Sequence, residues 1–236
     1  MALKHVISMK KCDHEEFVYV DEIEPSILTS LRYAGADNFA GKPIDGYLKP
    51  RAILTKTAAL ALKKAQELAY KDGYSVLIYD AYRPQQAVNH FIRWSKDKND
   101  QKMKDYYYPR IDKERVFELG YIAERSGHSR GSTVDVTLIP LGQMIKPITP
   151  KTRILADGVT IFYLEDGSVD MGTSFDFCDV ASHHETDLLE APYKERREHL
   201  KELMIQAGFK PYAKEWWHYT LENEPYPTTY FDFVVE

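Results

Sequence analysis

Apolar and polar positions along this chain follow two different periods, which indicates a mixture of helices and strands. Over residues 57–69, Ala and Leu recur at helical spacing among Lys, Gln and Glu. Thr57 is placed to cap this helix and Gly73 to end it. The same period returns in a segment whose first helical residue is predicted to be Pro84, and again over residues 194–207 before Gly208. Three helices are therefore predicted.

Short runs of β-branched and aromatic residues predict strands over residues 17–20, 74–79, 133–139 and 217–221. Residues 31–47 are rich in glycine and are expected to form a loop. Strands and helices do not alternate strictly, so the predicted fold class is α+β, in a single domain over residues 1–236. Two additions are expected: an N-terminal extension over residues 1–16, and a hairpin excursion over about residues 141–170 with turns at Asp157-Gly158 and Asp166-Gly167.

Composition narrows the class of protein. The 236 residues are 44% hydrophobic and 28% charged, which is typical of a globular protein with a sizeable core. The net charge of −5 comes without a Lys/Arg cluster, so nucleic acid is not expected as a partner. No apolar run approaches the ~18 residues of a membrane span, and residues 1–16 lack the apolar core of a signal peptide. Cys12 and Cys178 are expected to be free thiols, which favours a cytoplasmic location.

Two segments about 90 residues apart carry the candidate chemistry. Residues 126–135 contain His128 and Asp135, and residues 215–218 contain Glu215 and His218. Two imidazoles and one carboxylate are the ligand count of a catalytic zinc ion, and Glu215 is a spare carboxylate that can move protons. The sequence therefore predicts a zinc hydrolase with one Zn²⁺ per chain.

The spacing sets conditions on this zinc site. His128 and Asp135 are seven residues apart, and an odd spacing puts two side chains on opposite faces of a regular strand. We expect Gly127, Gly131 and Ser132 to supply a bend, with His128 in a turn and Asp135 in the strand. Glu215 and His218 are three apart, so Glu215 is expected just outside the strand. Asp135 lies among apolar residues, where a carboxylate needs a partner.

A structural role is the alternative for any single histidine, and the pattern H-x6-D with E-x-x-H is only moderately specific by itself. That interpretation is kept for His5, His14, His90, His183, His184 and His199. Of these, His183 and His184 are also candidates for hydrogen bonds that orient the metal ligands.

Two charged residues have two interpretations each. Arg83 follows a predicted strand and precedes a proline, so it could stabilise an oxyanion, or it could pair with Asp80 to close a turn. Asp176 lies between two phenylalanines, where it could bind an ammonium group. A hydrogen bond that closes the loop is the interpretation that local sequence favours for Asp176.

Together these motifs resemble the VanX-type D-alanyl-D-alanine dipeptidases, a branch of the zinc D-Ala-D-Ala peptidases. The pattern S-x-H-x-x-G-x-x-x-D covers residues 126–135, and E-x-W-H covers residues 215–218. The resemblance runs through most of the chain from about Tyr19. It takes in residues 33–44, 80–84, 175–177, 182–184 and 224–233.

The resemblance implies roles for the matching residues. His128, Asp135 and His218 would bind zinc, Glu215 would be the catalytic base, and Arg83 would stabilise the transition state. Four further positions would shape the substrate pocket or hold the charged ends of a dipeptide: Tyr33, Asp80, Ser126 and Asp176. A compact fold with a small antiparallel sheet flanked by helices is also implied.

The expected reaction is hydrolysis of free D-Ala-D-Ala. There are two alternatives. One is a D,D-carboxypeptidase or endopeptidase that acts on peptidoglycan, and the other is a zinc-binding module without catalysis. Another divalent ion in place of zinc stays open, as does a homodimer. The excursion over residues 141–170 and the N-terminal extension are expected to depart from the family.

Overall fold

Nine strands and five helices make up the part of the chain that the computed structural model describes, residues 16–236. The strands are β1 (Phe17–Tyr19), β2 (Leu28–Thr29), β3 (Ile53–Thr55), β4 (Tyr74–Asp80), β5 (Thr133–Pro140), β6 (Thr149–Ile154), β7 (Thr160–Glu165), β8 (Phe209–Tyr212) and β9 (Glu215–Leu221). The helices are α1 (Val20–Ile23), α2 (Lys56–Lys71), α3 (Gln85–Lys96), α4 (Lys104–Tyr107) and α5 (Ala191–Gln206).

A five-stranded sheet in the order β2-β4-β5-β9-β8 forms the centre of the fold. Strands β4, β5, β9 and β8 pair antiparallel with their neighbours. The two-residue strand β2 pairs parallel with β4 at one edge, an addition to the expected antiparallel sheet. Helices α2 and α5 pack against the sheet and against each other. The predicted α+β class is confirmed.

Alanine and leucine residues form the contact between the two long helices and the sheet. Ala58, Leu62 and Ala65 of α2 are fully buried, as are Leu200 and Met204 of α5. Burying one leucine side chain stabilises a fold by roughly 1.5–3 kcal/mol, so these helical faces hold the layers together. Most polar residues of both helices remain at the surface, and Gln66 of α2 and Arg197 of α5 are buried exceptions.

The ends of three predicted elements shift by a few residues. Thr55, not Thr57, caps α2, and its hydroxyl accepts a hydrogen bond from the Ala58 amide at 3.3 Å. Pro84 precedes α3 as its cap instead of being its first residue. Helix α5 starts at Ala191, three residues before the predicted 194. Its first turn contains Pro192, which is tolerated there because the first amides of a helix have no hydrogen-bond partner within the helix.

The excursion after β5 contains the predicted hairpin. Strands β6 and β7 pair antiparallel around the turn at Asp157-Gly158, where Gly158 has φ 82°. After β7, a buried ion pair between Arg32 and Asp166 joins this segment to the rest of the fold. The Tyr79 hydroxyl donates to the same carboxylate at 2.7 Å. The expected departure of residues 141–170 from the family stays a prediction.

Some predictions fall outside the described residues. Cys12, His5 and His14 are in this group, with nearly all of the proposed N-terminal extension. Cys178 is a buried free thiol, as expected. None of the helices within residues 16–236 has both the length and the apolar composition needed to cross a bilayer.

Candidate metal centre and active site

Three adjacent central strands place charged side chains in one row. Asp80 of β4 is the register partner of Asp135 in β5, and Asp135 is the register partner of His218 in β9. Because β4 and β9 both flank β5, these three residues lie side by side across the middle of the sheet. His128 lies in a short 3-10 helix (Gly127–Arg130) that leads into β5. The expected arrangement, His128 in a turn and Asp135 in the strand, is the one observed.

The turn between His128 and β5 depends on one glycine. Gly131 has φ 82°, a conformation that L side chains rarely adopt. A Cβ atom at Gly131 would lie 2.2 Å from the Phe17 ring, so the position also requires a close approach. The bend turns the His128 imidazole toward Asp135 despite the odd spacing.

Three donor atoms converge on one point. The Asp135 Oδ1 atom is 3.2 Å from His128 Nε2 and 3.2 Å from His218 Nδ1, and the two nitrogens are 3.3 Å apart. Tetrahedral zinc with ligands at 2.0–2.1 Å requires neighbouring ligand atoms about 3.3–3.4 Å apart. The triangle therefore has the size that a zinc ion needs.

Asp135 supplies a second sign of a cation. Its Oδ1 atom is buried and has no hydrogen-bond partner among the described residues. Leaving a carboxylate oxygen unpaired in the interior costs free energy, and a metal ion removes that cost. Burial acts to raise the pKa of Asp135, but His128 and His218 outweigh it and hold the pKa below its usual range. The carboxylate is therefore ionised and ready to coordinate.

The histidines are oriented for coordination. His128 is fully buried, and its Nδ1 donates to the Ala81 carbonyl at 2.8 Å. The lone pair of Nε2 is therefore free to bind a metal ion. Burial lowers the pKa of His218, against the opposing effect of Asp135. A neutral imidazole is the form that binds metal. His128, Asp135 and His218 are the residues that would hold the ion.

Glu215 lies beside the three donors. Its Oε2 atom is 3.3 Å from His218 Nδ1, and the residue is 8% exposed. The expectation that Glu215 lies outside the strand was wrong, because it is the first residue of β9 and pairs with Tyr212 across a two-residue turn. A register shift next to Tyr212 lets Glu215 and His218 approach each other despite their odd spacing. Burial, then the charges of Asp135 and Asp176, raises the pKa of Glu215 well above its usual value.

Arg83 pairs with Asp80, as one of its two sequence interpretations predicts, and the oxyanion role stays a prediction. Its Nε donates to Asp80 Oδ2 at 2.9 Å, and its Nη2 lies 3.4 Å from Asp135 Oδ2. The guanidinium also lines the pocket. Asp80 accepts a hydrogen bond from the Tyr47 hydroxyl at 2.7 Å and is 1% exposed. It therefore contacts Arg83 from the protein interior, on the side away from the pocket.

The pocket in front of these residues has a volume of about 210 Å³. That is smaller than the 300–1,000 Å³ of sites for drug-sized ligands, so it suits a small substrate. Three of the four predicted substrate residues line it, Tyr33, Ser126 and Asp176, while Asp80 does not. Asp135, Glu215 and His218 also line it, and its other walls are Phe39, Phe91, residues 120–123, Gly127, Cys178 and Tyr212.

Asp176 is held in an unusual conformation. Its φ of 60° is the one positive value at a non-glycine residue within residues 16–236. Such backbone strain concentrates at functional sites. The Tyr33 hydroxyl donates to Asp176 Oδ2 at 2.7 Å. Burial, followed by the charge of Asp135, raises the pKa of Asp176 to about 8.

Sequence reasoning missed several residues of the site. Tyr47, which orients Asp80, belongs to the predicted loop 31–47, and no local pattern marks its role. Tyr212 lies in β8, which was not predicted because Pro211 disfavours a strand. Its hydroxyl donates to the Gly120 carbonyl at 2.8 Å and so joins β8 to the pocket wall. His183, expected either to be structural or to bond a metal ligand, lies instead 3.2 Å from the hydroxyl of the pocket residue Tyr121.

Comparisons with known proteins give one consistent answer. The family model described as D-ala-D-ala dipeptidase, peptidase M15, matches residues 13–146 and 152–236. The D-alanyl-D-alanine dipeptidase of Streptomyces coelicolor is 42% identical over 93% of this chain and 98% of its own length. The enzymes of that name from Enterococcus faecium and Escherichia coli are 39% and 30% identical, over 93% and 89% of this chain and 98% and 86% of their own lengths.

One solved structure is also similar, the vancomycin-resistance D,D-pentapeptidase VanY in complex with Zn(II). It is 14% identical, with 74% of this chain and 76% of that chain covered and a TM-score of 0.38, a similarity too low to support a structural argument. The family model and the relatives cover nearly the whole sequence. The chain therefore belongs to the M15 family of D-Ala-D-Ala dipeptidases.

Proposed function

We propose that the protein hydrolyses the free dipeptide D-Ala-D-Ala to two molecules of D-alanine, with a zinc ion held by His128, Asp135 and His218. The observation that carries the proposal is the triangle of donor atoms, with sides of 3.2–3.3 Å, beside the Glu215 carboxylate. Membership of the dipeptidase family supports the choice of substrate.

Glu215 moves the protons in this proposal. A bound zinc ion supplies a Lewis acid that polarises the scissile carbonyl and acidifies water. Glu215 takes the proton from the attacking water and delivers it to the leaving amine. A base with a raised pKa can both accept and release that proton near neutral pH, and burial raises the pKa of Glu215.

Arg83 stabilises the charge that develops on the carbonyl oxygen. Its guanidinium is fixed by Asp80 before substrate arrives, so little reorganisation accompanies the reaction. Tyr47 holds Asp80 in turn. Asp80 therefore acts as a support for Arg83.

The pocket recognises the ammonium end of the dipeptide. Asp176, held by Tyr33, faces the ammonium group, and Ser126 lines the same pocket and has a hydroxyl that can donate to the substrate. A peptide with an extended amino end would leave the Asp176 carboxylate unpaired in a small pocket. Free dipeptide is therefore the preferred substrate. A cytoplasmic location and a homodimer remain predictions of the sequence.

The test supplies the enzyme with D-Ala-D-Ala, L-Ala-L-Ala and a muramyl pentapeptide. We expect kcat/KM to be highest for D-Ala-D-Ala. Preference for the pentapeptide would identify a carboxypeptidase instead. No turnover by the zinc-loaded protein would identify a binding module.

A Glu215→Ala variant tests the assigned base. Metal content is expected to stay at one ion per chain while kcat falls by about 10³-fold or more. Glu222→Ala, at an exposed position just after β9, is the matched control and should keep full activity. Survival of activity in Glu215→Ala would show that another group is the base.

A further inference from the structure

Arg197 of α5 is buried beneath the loop that carries Asp176. The residue is 1% exposed and its guanidinium makes four hydrogen bonds. Nε donates to the Met171 carbonyl at 2.7 Å, and Nη1 donates to the Ala181 and His183 carbonyls at 2.9 Å each. Nη2 donates to the Thr173 hydroxyl at 3.1 Å. All four acceptors are uncharged oxygens.

A buried guanidinium held by neutral groups is an expensive arrangement. Burial lowers the pKa of Arg197 to about 9. The compensation comes from several carbonyl and hydroxyl dipoles arranged around one planar fork. Lysine cannot reproduce this arrangement, because its single ammonium group has no rigid fork.

The acceptors lie on both sides of Asp176 in sequence. Met171 and Thr173 precede Asp176, and Ala181 and His183 follow it. One guanidinium therefore closes the base of the loop over residues 171–183. Within the loop, the Ser182 hydroxyl donates to the Phe177 carbonyl at 2.6 Å and lies 2.9 Å from the Thr173 hydroxyl.

The Thr173 hydroxyl also joins the loop to strand β9. The Trp216 indole donates to Thr173 Oγ1 at 3.0 Å. Trp216 lies in β9 between Glu215 and His218. Thr173 therefore fixes the loop over residues 171–183 against β9, the strand that carries Glu215 and His218.

We propose that Arg197 is a positioning residue for the reaction, which holds residues 171–183 so that the Asp176 carboxylate meets the ammonium end of the dipeptide. Arg197 is not among the residues that line the pocket. It acts through the loop, whose strained residue Asp176 needs its surroundings to fix its conformation. This inference rests on the proposed function.

The test compares Arg197→Lys and Arg197→Met with Arg196→Lys. Arg196 is a matched control, because it is exposed on the same helix and bonds a single carbonyl, that of Asp170. Thermal unfolding and metal content are measured first for each variant. The kinetic readouts are kcat and KM for D-Ala-D-Ala, and the inhibition constant of propionyl-D-alanine, which lacks the amino group.

Arg197→Lys is expected to raise KM for D-Ala-D-Ala about tenfold, with kcat changed by less than about threefold. Inhibition by propionyl-D-alanine should stay unchanged, because no ammonium group is involved. Arg196→Lys should behave as the unaltered protein. An unchanged KM in Arg197→Lys, or equal losses for both ligands, would overturn the proposal. Unfolding of both Arg197 variants would also overturn it, by showing a purely structural role.

Hydrogen exchange separates this inference from the proposed function. In the zinc-loaded protein, amides within residues 171–183 should exchange faster in Arg197→Lys than in Arg196→Lys. This readout needs no turnover. If the unaltered protein fails to hydrolyse D-Ala-D-Ala, the proposed function is wrong, and the exchange rates still show whether Arg197 holds the loop. Equal exchange in the two variants would refute the holding role itself.

Discussion

The backbone amide of Arg83 donates to the carbonyl of His128 at 3.3 Å. The proposed transition-state residue and a proposed metal ligand are therefore joined through the main chain. The His128 side chain returns to the same segment through its bond to the Ala81 carbonyl. These contacts fix the distance between the guanidinium and the metal centre without any help from substrate.

Replacing Arg83 by lysine should separate charge from geometry. Arg83→Lys keeps the positive charge but loses the fork that reaches Asp80 and Asp135. We expect kcat to fall by about 10²–10³-fold, the usual effect of removing one oxyanion-stabilising donor. Steady-state kinetics measure the loss and metal analysis shows that zinc is retained. Arg51→Lys, a surface change, is the control. A kcat within threefold of normal would remove Arg83 from the chemistry.

Removing the metal should destabilise the fold. An ion present at 100 times its dissociation constant stabilises the native state by about 3 kcal/mol, and a chelator removes that contribution. For a chain of this length the melting temperature should fall by about 5–10 °C in calorimetry. His128→Ala should lose this response, while His199→Ala, outside the donor triangle, should keep it. A chelator response that persists in His128→Ala would place the metal elsewhere.

The affinity for substrate should depend on the ionisation of Asp176. Burial and the charge of Asp135 raise the pKa of Asp176 to about 8. Below its pKa the carboxyl group is neutral and no longer attracts an ammonium group, so KM should rise as the pH falls. A bound cation would offset the charge of Asp135 and so lower the pKa of Asp176. The midpoint of the KM curve is therefore expected at pH 8 or below. KM measured against pH gives the curve, and Asp176→Asn should raise KM and flatten it. A pH dependence that survives in Asp176→Asn would belong to another group.

His184 predicts how stability changes with pH. Burial lowers its pKa from 6.5 to about 4, and its Nε2 atom is buried without a hydrogen-bond partner among the described residues. The unfolded chain therefore binds a proton more readily, and stability falls as the pH drops from about 6.5 to 4. The loss should be about 2–3 kcal/mol, since a shift of one unit is 1.36 kcal/mol and the side chain is not fully buried.

Urea unfolding between pH 4 and 7 measures this effect. His184→Gln should remove most of the slope, and His199→Gln, at a position on α5 where the imidazole lies 3.1 Å from Asp72, should leave it in place. An unchanged slope in His184→Gln would assign the pH dependence to other groups.

The sequence was sufficient for the elements with strong periodicity. Strands β4 and β5 and helices α2 and α5 follow directly from their apolar patterns. The residues proposed for the metal also come together as expected. Strands β2 and β3 were missed because they have two and three residues, too few to show a period, and β8 because it has four residues and contains Pro211.

Contacts between distant residues were beyond a local pattern. Glu215 joins β9 because of a register shift, which depends on the pairing of β8 with β9. The Tyr47 bond to Asp80 links a loop to a strand 33 residues away. Arg197 is one of several charged residues within α5, and nothing in the local sequence distinguishes it. Its burial follows from the path of residues 171–183 over that helix, which no periodicity encodes.

The pairing of β5 with β9 has a consequence for biosynthesis. His128 and Asp135 leave the ribosome long before Glu215 and His218, and β9 has to insert between β5 and β8 to complete the centre. A nascent chain that ends before β9 has two of the three proposed metal ligands and lacks the proposed base. The proposed activity therefore requires the chain to be made through β9, and a product truncated before Glu215 lacks part of the proposed centre.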